Sequence, residues 1–149
     1  MKFDELDLTI LANLQKDGRM SFRELGRKLN VPHTTVFTRV ERLKKNGVIK
    51  KFAAMLHPHE VGGQINMIVV DTPPRESKEV AKKIAELDEA KKVFRTFDGK
   101  IIIKAVVANH PQKEGIEDFL TQLDGYPFTL YTINDIVKFD HTVSKEVLR

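Results

Sequence analysis

Apolar residues recur at helical spacing three times within the first fifty positions, and two-residue alternation and short apolar runs take over afterwards. Asp4 or Asp7 can open a first helix in which Leu6, Ile10, Leu11 and Leu14 form one stripe, and Gly18 stops it. Ser21-Phe22-Arg23-Glu24 reads as a capping box, because a Ser hydroxyl and a Glu carboxylate three residues apart satisfy each other's free N–H groups. The second helix then runs to about Leu29. Asn30-Val31-Pro32 makes a tight turn, and a third helix buries Val36, Val40 and Leu43 before Asn46-Gly47. Two short helices across a tight turn, braced by a first, are a helix-turn-helix.

From Val48 the pattern predicts a strand to Leu56, then His57-Pro58-His59-Glu60 and Gly62-Gly63 as a linker. Beyond it come a strand (65–72), a helix (77–87), strands (93–97 and 101–108), a helix (114–123) and a last strand (128–139). Asp124-Gly125-Tyr126-Pro127 punctuates the last connection. The order βαββαβ is that of a ferredoxin-like sheet with both helices on one face. The expected class is α+β, with a helix-turn-helix domain over 1–51, a linker strand over 52–63 and a ferredoxin-like domain over 64–149. Ile101 to Ala108 is apolar at nearly every position. Helices cover one face only, so the other is expected to meet an apolar partner, most simply a second copy of the chain.

Charge adds a second division. The 149 residues carry a net +4, yet residues 18–51 hold 10 basic and 2 acidic side chains, Glu24 and Glu41 being the acids. A basic segment joined to a near-neutral one fits a polyanion-binding module beside a different one. There is no Cys, which removes disulfides and thiolate sites and is compatible with a reducing cytosol. No apolar run approaches a membrane span, the N-terminus lacks signal-peptide character, and a cytoplasmic protein without membrane contact is expected. His57 and His59 are two apart but have only Glu60 as a nearby third ligand, so neither a metal nor a cofactor is expected.

The outer side of the third helix carries the candidate chemistry. With Val36, Val40 and Leu43 inward, Thr34 and Thr38 point outward, flanked by Thr35 and Arg42, with Phe37 to the other side. Hydroxyls reach bases or phosphates, an aromatic ring meets a thymine methyl, and an Arg takes guanine or phosphate. His33 stands at the helix start, and Arg39 lies at the edge of the buried stripe, where an ion pair competes with a phosphate contact. Phe37 has packing against the first helix as its rival role. Arg23 and Arg27, four apart on the second helix, are placed to hold the backbone, and Ser21 with the free N–H groups beside it could take one phosphate.

The stretch Leu6-Asp7, Ile10-Leu11, Leu14-Gln15-Lys16-Asp17-Gly18-Arg19-Met20-Ser21, Glu24-Leu25, Leu29, Val36, Arg39-Val40, Arg42-Leu43 and Gly47-Val48-Ile49 resembles the Lrp/AsnC, or feast/famine, transcriptional regulators. The βαββαβ half resembles their ligand-sensing and oligomerisation domain. The resemblance implies sequence-specific binding of double-stranded DNA by a homodimer, assembly of dimers to octamers, and an amino-acid effector. Two departures stand out. The family usually has Ser where this chain has Pro32 and often Pro where it has His33. Its Gly-x-Tyr-Asp loop becomes Gly99-Lys100-Ile101-Ile102 here, which leaves Asp98 and Gly99 as the candidates for effector contact.

Two other functions share the topology. Siroheme decarboxylases also join such halves, but the second half here has no His-x-Tyr-Arg run, so no enzymatic activity is expected. RNA-binding RRM domains share βαββαβ, but Ile101-Ile102-Ile103 stands where stacking rings are needed.

Overall fold

Residues 3–109, 115–123 and 125–148 are described by the structure, a computed structural model; His110 and Asp124 fall outside them. Three helices come first: α1 (Glu5–Lys16), α2 (Phe22–Leu29) and α3 (His33–Lys45). A 3₁₀ turn (His59–Val61) precedes β1 (Gly63–Asp71), α4 (Ser77–Ala85), β2 (Ala90–Arg95), β3 (Lys100–Ala108), α5 (Gly115–Thr121), β4 (Phe128–Thr132) and α6 (Lys145–Leu148). The chain divides into two compact units, one of residues 1–55 with 138–149 and one of residues 56–137.

In the helical unit the expected stripes meet. Ile10, Leu11, Leu14, Leu25, Val36, Val40 and Leu43 form one buried cluster, with Leu6, Phe22 and Leu29 packed at its edge. The expected capping box of Ser21 with Glu24 is present on α2, and α1 has a second, unforeseen one in which Asp4 and Asp7, the two alternative helix starters, act together. Asn30 caps α2 in the left-handed region (φ 54°, ψ 43°), where Asn is among the few tolerated residues.

In the other unit the strands pair in the order β2-β3-β1-β4, all antiparallel, as a ferredoxin-like sheet requires. Along β3, Ile101, Ile103, Ala105 and Val107 are buried and alternate with half-buried Ile102, Lys104 and Val106. Ile101, Ile103 and Ala105 of the first set join Ile68, Val70, Val80, Ile84, Phe119 and Leu123 in the core beneath α4 and α5. The second set shares the opposite face with Met67 and Val69. Tyr131 and Phe94, which pair with Met67 and Ile102, extend that face.

Three expectations change. Residues 48–56 form no strand, and 51–56 are exposed. An extended segment needs a ladder partner, and the four sheet strands pair only with one another. The last strand stops at Thr132 rather than 139. There the Ile133 N–H still donates to the Ile65 carbonyl at 2.9 Å, and the side-chain amide of Gln64 donates to the carbonyls of Ile133 (2.8 Å) and Ile65 (3.0 Å), so a side chain takes the place of the next backbone donor at Ile133. Finally, residues 138–149, expected within the ferredoxin-like domain, belong to the helical unit. Gln15 on α1 donates to the carbonyl of Val143 (3.1 Å) and accepts from its N–H (2.6 Å).

Gly99 is buried at φ +93°, and a Cβ there would lie 2.4 Å from the Thr72 carbonyl oxygen and 2.9 Å from the Pro74 nitrogen. Gly99→Ala is expected to cost about 3 kcal/mol or more, since strain and backbone overlap coincide. Gly125→Ala, at φ +74° with nothing within 4 Å, is expected to cost only about 1–2 kcal/mol. Urea midpoints of the two variants measure the difference.

Candidate nucleic-acid interface

The turn between α2 and α3 is fixed by close approach. A Cβ on Gly26 would stand 2.8 Å from the carbonyl oxygen of Val31, so only glycine lets the turn fold this tightly onto α2. The Val31 N–H donates to the Gly26 carbonyl at 2.9 Å, and Asn30 reverses the chain. Pro32 then occupies the cap position of α3 in an extended conformation (φ −57°, ψ 141°) and supplies no side-chain hydrogen bond. Its carbonyl accepts instead from the N–H groups of Thr35 and Val36. The proline departure therefore leaves the helix start at His33 but without a hydroxyl cap.

Arg23 and Arg27 are exposed and line an open cleft of about 720 Å³ with Gly26, Asn30, Pro32 and His33. Neither forms an ion pair with another described residue, although Arg27 exerts a weak pull on the Glu24 carboxylate, and both residues are exposed. Beside them, Thr34, Thr35, Thr38 and Arg39 line a shallower depression of about 250 Å³. Thr34 is exposed. The Thr38 hydroxyl donates to the Thr34 carbonyl at 2.9 Å, so toward a ligand it offers chiefly an acceptor. Phe37 is 52% exposed and rests edge-on against Phe22 of α2, centroids 6.0 Å apart, so its ring contact is to α2 and not to α1, the alternative to base contact raised above.

Three expected contacts are committed elsewhere. The Ser21 hydroxyl donates to Glu24 (2.8 Å) and accepts from its N–H (3.2 Å). The Glu24 carboxylate also accepts from the Ser21 N–H (2.8 Å), and that bond, with the hydroxyl's, holds its carboxyl below the usual range. A carboxylate at this helix start repels a phosphate, so Ser21 is a cap and not an anion site. Arg39 is bonded to Asp4 and, at 3.2 Å, to Asp7. Arg42 places one nitrogen 2.6 and 2.5 Å from the two oxygens of Asp7. Asp7 is 1% exposed, so a buried carboxylate holds both arginines and ties α3 to α1. In the sequence, Asp4 and Asp7 stand out only as helix starters. The signal for their second role is matched spacing, two acids three apart on one helix and two arginines three apart on another.

The candidate effector residues are equally occupied. Asp98 accepts from the Thr96 hydroxyl, and this bond pulls its carboxyl below the usual range. Gly99 packs beneath the Thr72–Pro74 backbone, and its carbonyl accepts the Thr72 hydroxyl at 2.6 Å. Ile101 lies in the sheet core and Ile102 on the opposite face, where the family pattern has Tyr and Asp.

Asp7→Asn is expected to lower the stability of the helical unit by about 2–3 kcal/mol, because two guanidinium groups lose a charged, buried acceptor. The Asp4 carboxyl lies below its usual range through the Asp7 N–H and then Arg39. Its contribution, like that of Glu24, is present above the ordinary carboxylate range and lost as pH falls through the lowered values. Far-UV circular dichroism during acid titration should show a loss of helix that shrinks in Asp4→Asn.

A winged helix-turn-helix DNA-binding family profile matches residues 3–50. An HTH-type transcriptional regulator of Pyrococcus furiosus is 51% identical over 87 residues, covering 58% of this chain; the chain spans only 59% of that relative's length. The regulator FL11 of the same organism is 30% identical over 124 residues, 82% of each chain. The structure of Escherichia coli AsnC superposes with a TM-score of 0.78 over 95% of this chain and 99% of its own, at 18% identity, a likeness of fold. With a match to FL11 across both units and the capped helix-turn-helix in place, the chain belongs to the Lrp/AsnC family of transcriptional regulators.

Proposed function

We propose that the protein binds duplex DNA sequence-specifically as a homodimer and regulates transcription. The observation that carries this reading is the exposed, unpaired Arg23–Arg27 row beside the equally exposed first turns of α3. Phosphate contacts supply affinity and register, and base-edge contacts supply sequence preference. Arg23 and Arg27 take the first role. His33, Thr34, Thr35, Phe37 and Thr38 take the second, with Thr34 as the principal hydroxyl donor because Thr38 already donates within the helix. Arg39 and Arg42 position α3 through Asp7 instead of contacting DNA.

The dimer in this proposal forms through the sheet face opposite α4 and α5. Met67, Val69, Ile102 and Val106 are half-buried there, with Tyr131 and Phe94 more than half exposed at the sides. A face this apolar is costly in water, and a twofold copy covers it with identical chemistry. Two recognition helices then address half-sites about 34 Å apart or a multiple of that. The Asp98–Ile102 loop lacks the family's Tyr and Asp, and its one carboxylate, Asp98, is already bonded through one oxygen to Thr96, so the proposal includes no amino-acid site there.

Footprinting on fragments selected from random DNA tests the reading, and failure to recover any preferred sequence would refute it. Thr34→Ala is expected to relax preference at one position by about 1–3 kcal/mol, and Thr38→Ala by less. Arg23→Ala should weaken all duplexes alike and reduce the slope of log K against log salt by about 0.9. Ile102→Glu should shift the mass measured by light scattering toward the monomer.

A further inference from the structure

Leu8 is 3% exposed yet stands outside the apolar cluster that joins α1 to α2 and α3. With half-buried Ala12 and Gln15 it makes a second stripe on α1, at i, i+4 and i+7. This stripe lies roughly 120° around the helix from Ile10, Leu11 and Leu14. The C-terminal segment meets α1 here. α6 touches α1, and the Gln15 side chain holds both backbone groups of Val143, accepting its N–H at 2.6 Å and donating to its carbonyl at 3.1 Å. Just before Val143, the Asp140 carboxylate accepts the Thr142 N–H at 2.8 Å, a local turn that shapes the backbone Gln15 reads.

The chain therefore passes between its two units twice, at 55–56 and at 137–138. The two passages differ in kind. Residues 50–56 form no strand and make no backbone hydrogen bond with any described residue, so the first is a soft tether. The second is pinned at both ends. Ile133 donates to the Ile65 carbonyl at 2.9 Å and accepts from the Gln64 amide at 2.8 Å, while Val143 is held by Gln15.

We propose that residues 133–143 are a strap that sets the half-site spacing the dimer accepts. The proposal rests on the DNA-binding dimer argued above and names the element that makes it selective for spacing. A helical unit on one soft tether reaches half-sites over a range of separations and rotations, so its effective concentration at the second half-site varies little with spacing. A second tether fixed to α1 removes much of that freedom, and α1 carries α3 with it through Asp7. Gln15 is thus a positioning residue, acting through α1 on the recognition helix.

Fluorescence anisotropy tests the strap with three duplexes: the preferred fragment recovered by selection, an isolated half-site, and the fragment with about five base pairs, half a helical turn, inserted between its half-sites. The unaltered protein is expected to lose about 100-fold in affinity on the insertion, because its second half-site turns to the opposite side of the duplex. In Gln15→Leu/Val143→Pro, which leaves neither bond possible, the loss is expected to shrink to about 10-fold or less, with half-site affinity unchanged. A merely structural role would lower half-site affinity and leave the insertion loss as it was, and that result overturns the strap. If the variant loses its helical circular dichroism, Gln15→Cys/Val143→Cys carries the readout, because the chain has no other Cys. Its insertion loss should rise from about 10-fold to about 100-fold when a short bismaleimide joins the two thiols. An equal loss before and after joining overturns the strap, as does a joined product of doubled mass, which would assign the tail to the partner's α1. Each of these leaves the regulator reading intact. Failure of the unaltered protein to select any fragment overturns both.

Discussion

The helical unit depends on one buried carboxylate. Asp7 is enclosed by α1 and α3, and leaving its charge unpaired there would cost several kcal/mol. Arg39 and Arg42 satisfy it from one face of α3, while its other duty, in the α1 capping box, fixes the helix that carries it. The arginine side chains remain 27% and 45% exposed, so water screens part of the attraction. What survives is directional. Hydrogen bonds to both carboxylate oxygens set the rotation of α3 about its own axis, which apolar packing of Val36, Val40 and Leu43 restrains less sharply. That rotation decides which side chains face a ligand.

This arrangement separates the tasks of binding by element. Cations committed to an internal carboxylate are less available to DNA, so the first two turns of α3 offer hydroxyls, an imidazole and a ring, and its exposed Lys45 stands only in the last turn. In the proposed reading those hydroxyls and rings discriminate among base edges without adding much indiscriminate affinity, and charge for the phosphates comes from α2, where Arg23 and Arg27 flank Gly26. The tight turn matters here as well. Because Gly26 admits the Val31 carbonyl so closely, the arginines of α2 and the first residues of α3 line a single cleft. The α2 capping box contributes in a contrary sense, since Glu24 stabilises the helix while making its start unattractive to an anion.

Much of this was legible in the sequence because periodicity reports burial. The stripes of α1 to α3, the α2 capping box, the Asn30 turn and the alternating strands all follow from residue spacing, as does the ferredoxin-like order. What periodicity cannot report is the partner across a tertiary contact. A helical projection places Arg42 toward solvent correctly enough, yet its long side chain bends back to Asp7. The 48–56 stretch has strand-like residues, but a strand exists only where another offers a ladder. Similarly, the apolar residues of 133–139 continue a strand pattern, but past Ile133 the acceptor is met by the Gln64 side chain instead of a backbone N–H. For the loop at Asp98, sequence could show that the family's Tyr and Asp are missing, though not that Thr96 already occupies the remaining carboxylate.

The sheet extends the same logic to association. One face of β3 is buried by its own helices, while the other presents Ile102 and Val106 separated by Lys104, which pairs in register with Lys92. Two lysines side by side repel each other unless water or an acid relieves them. In the dimer proposed above, a covering subunit seats its apolar groups over Met67, Val69, Ile102 and Val106 and has to meet Lys104 among them with water or an acid. The lysines also limit how a second sheet can slide, because a displaced copy would bury them without partners. The face that demands a cover thereby restricts the geometry of what covers it.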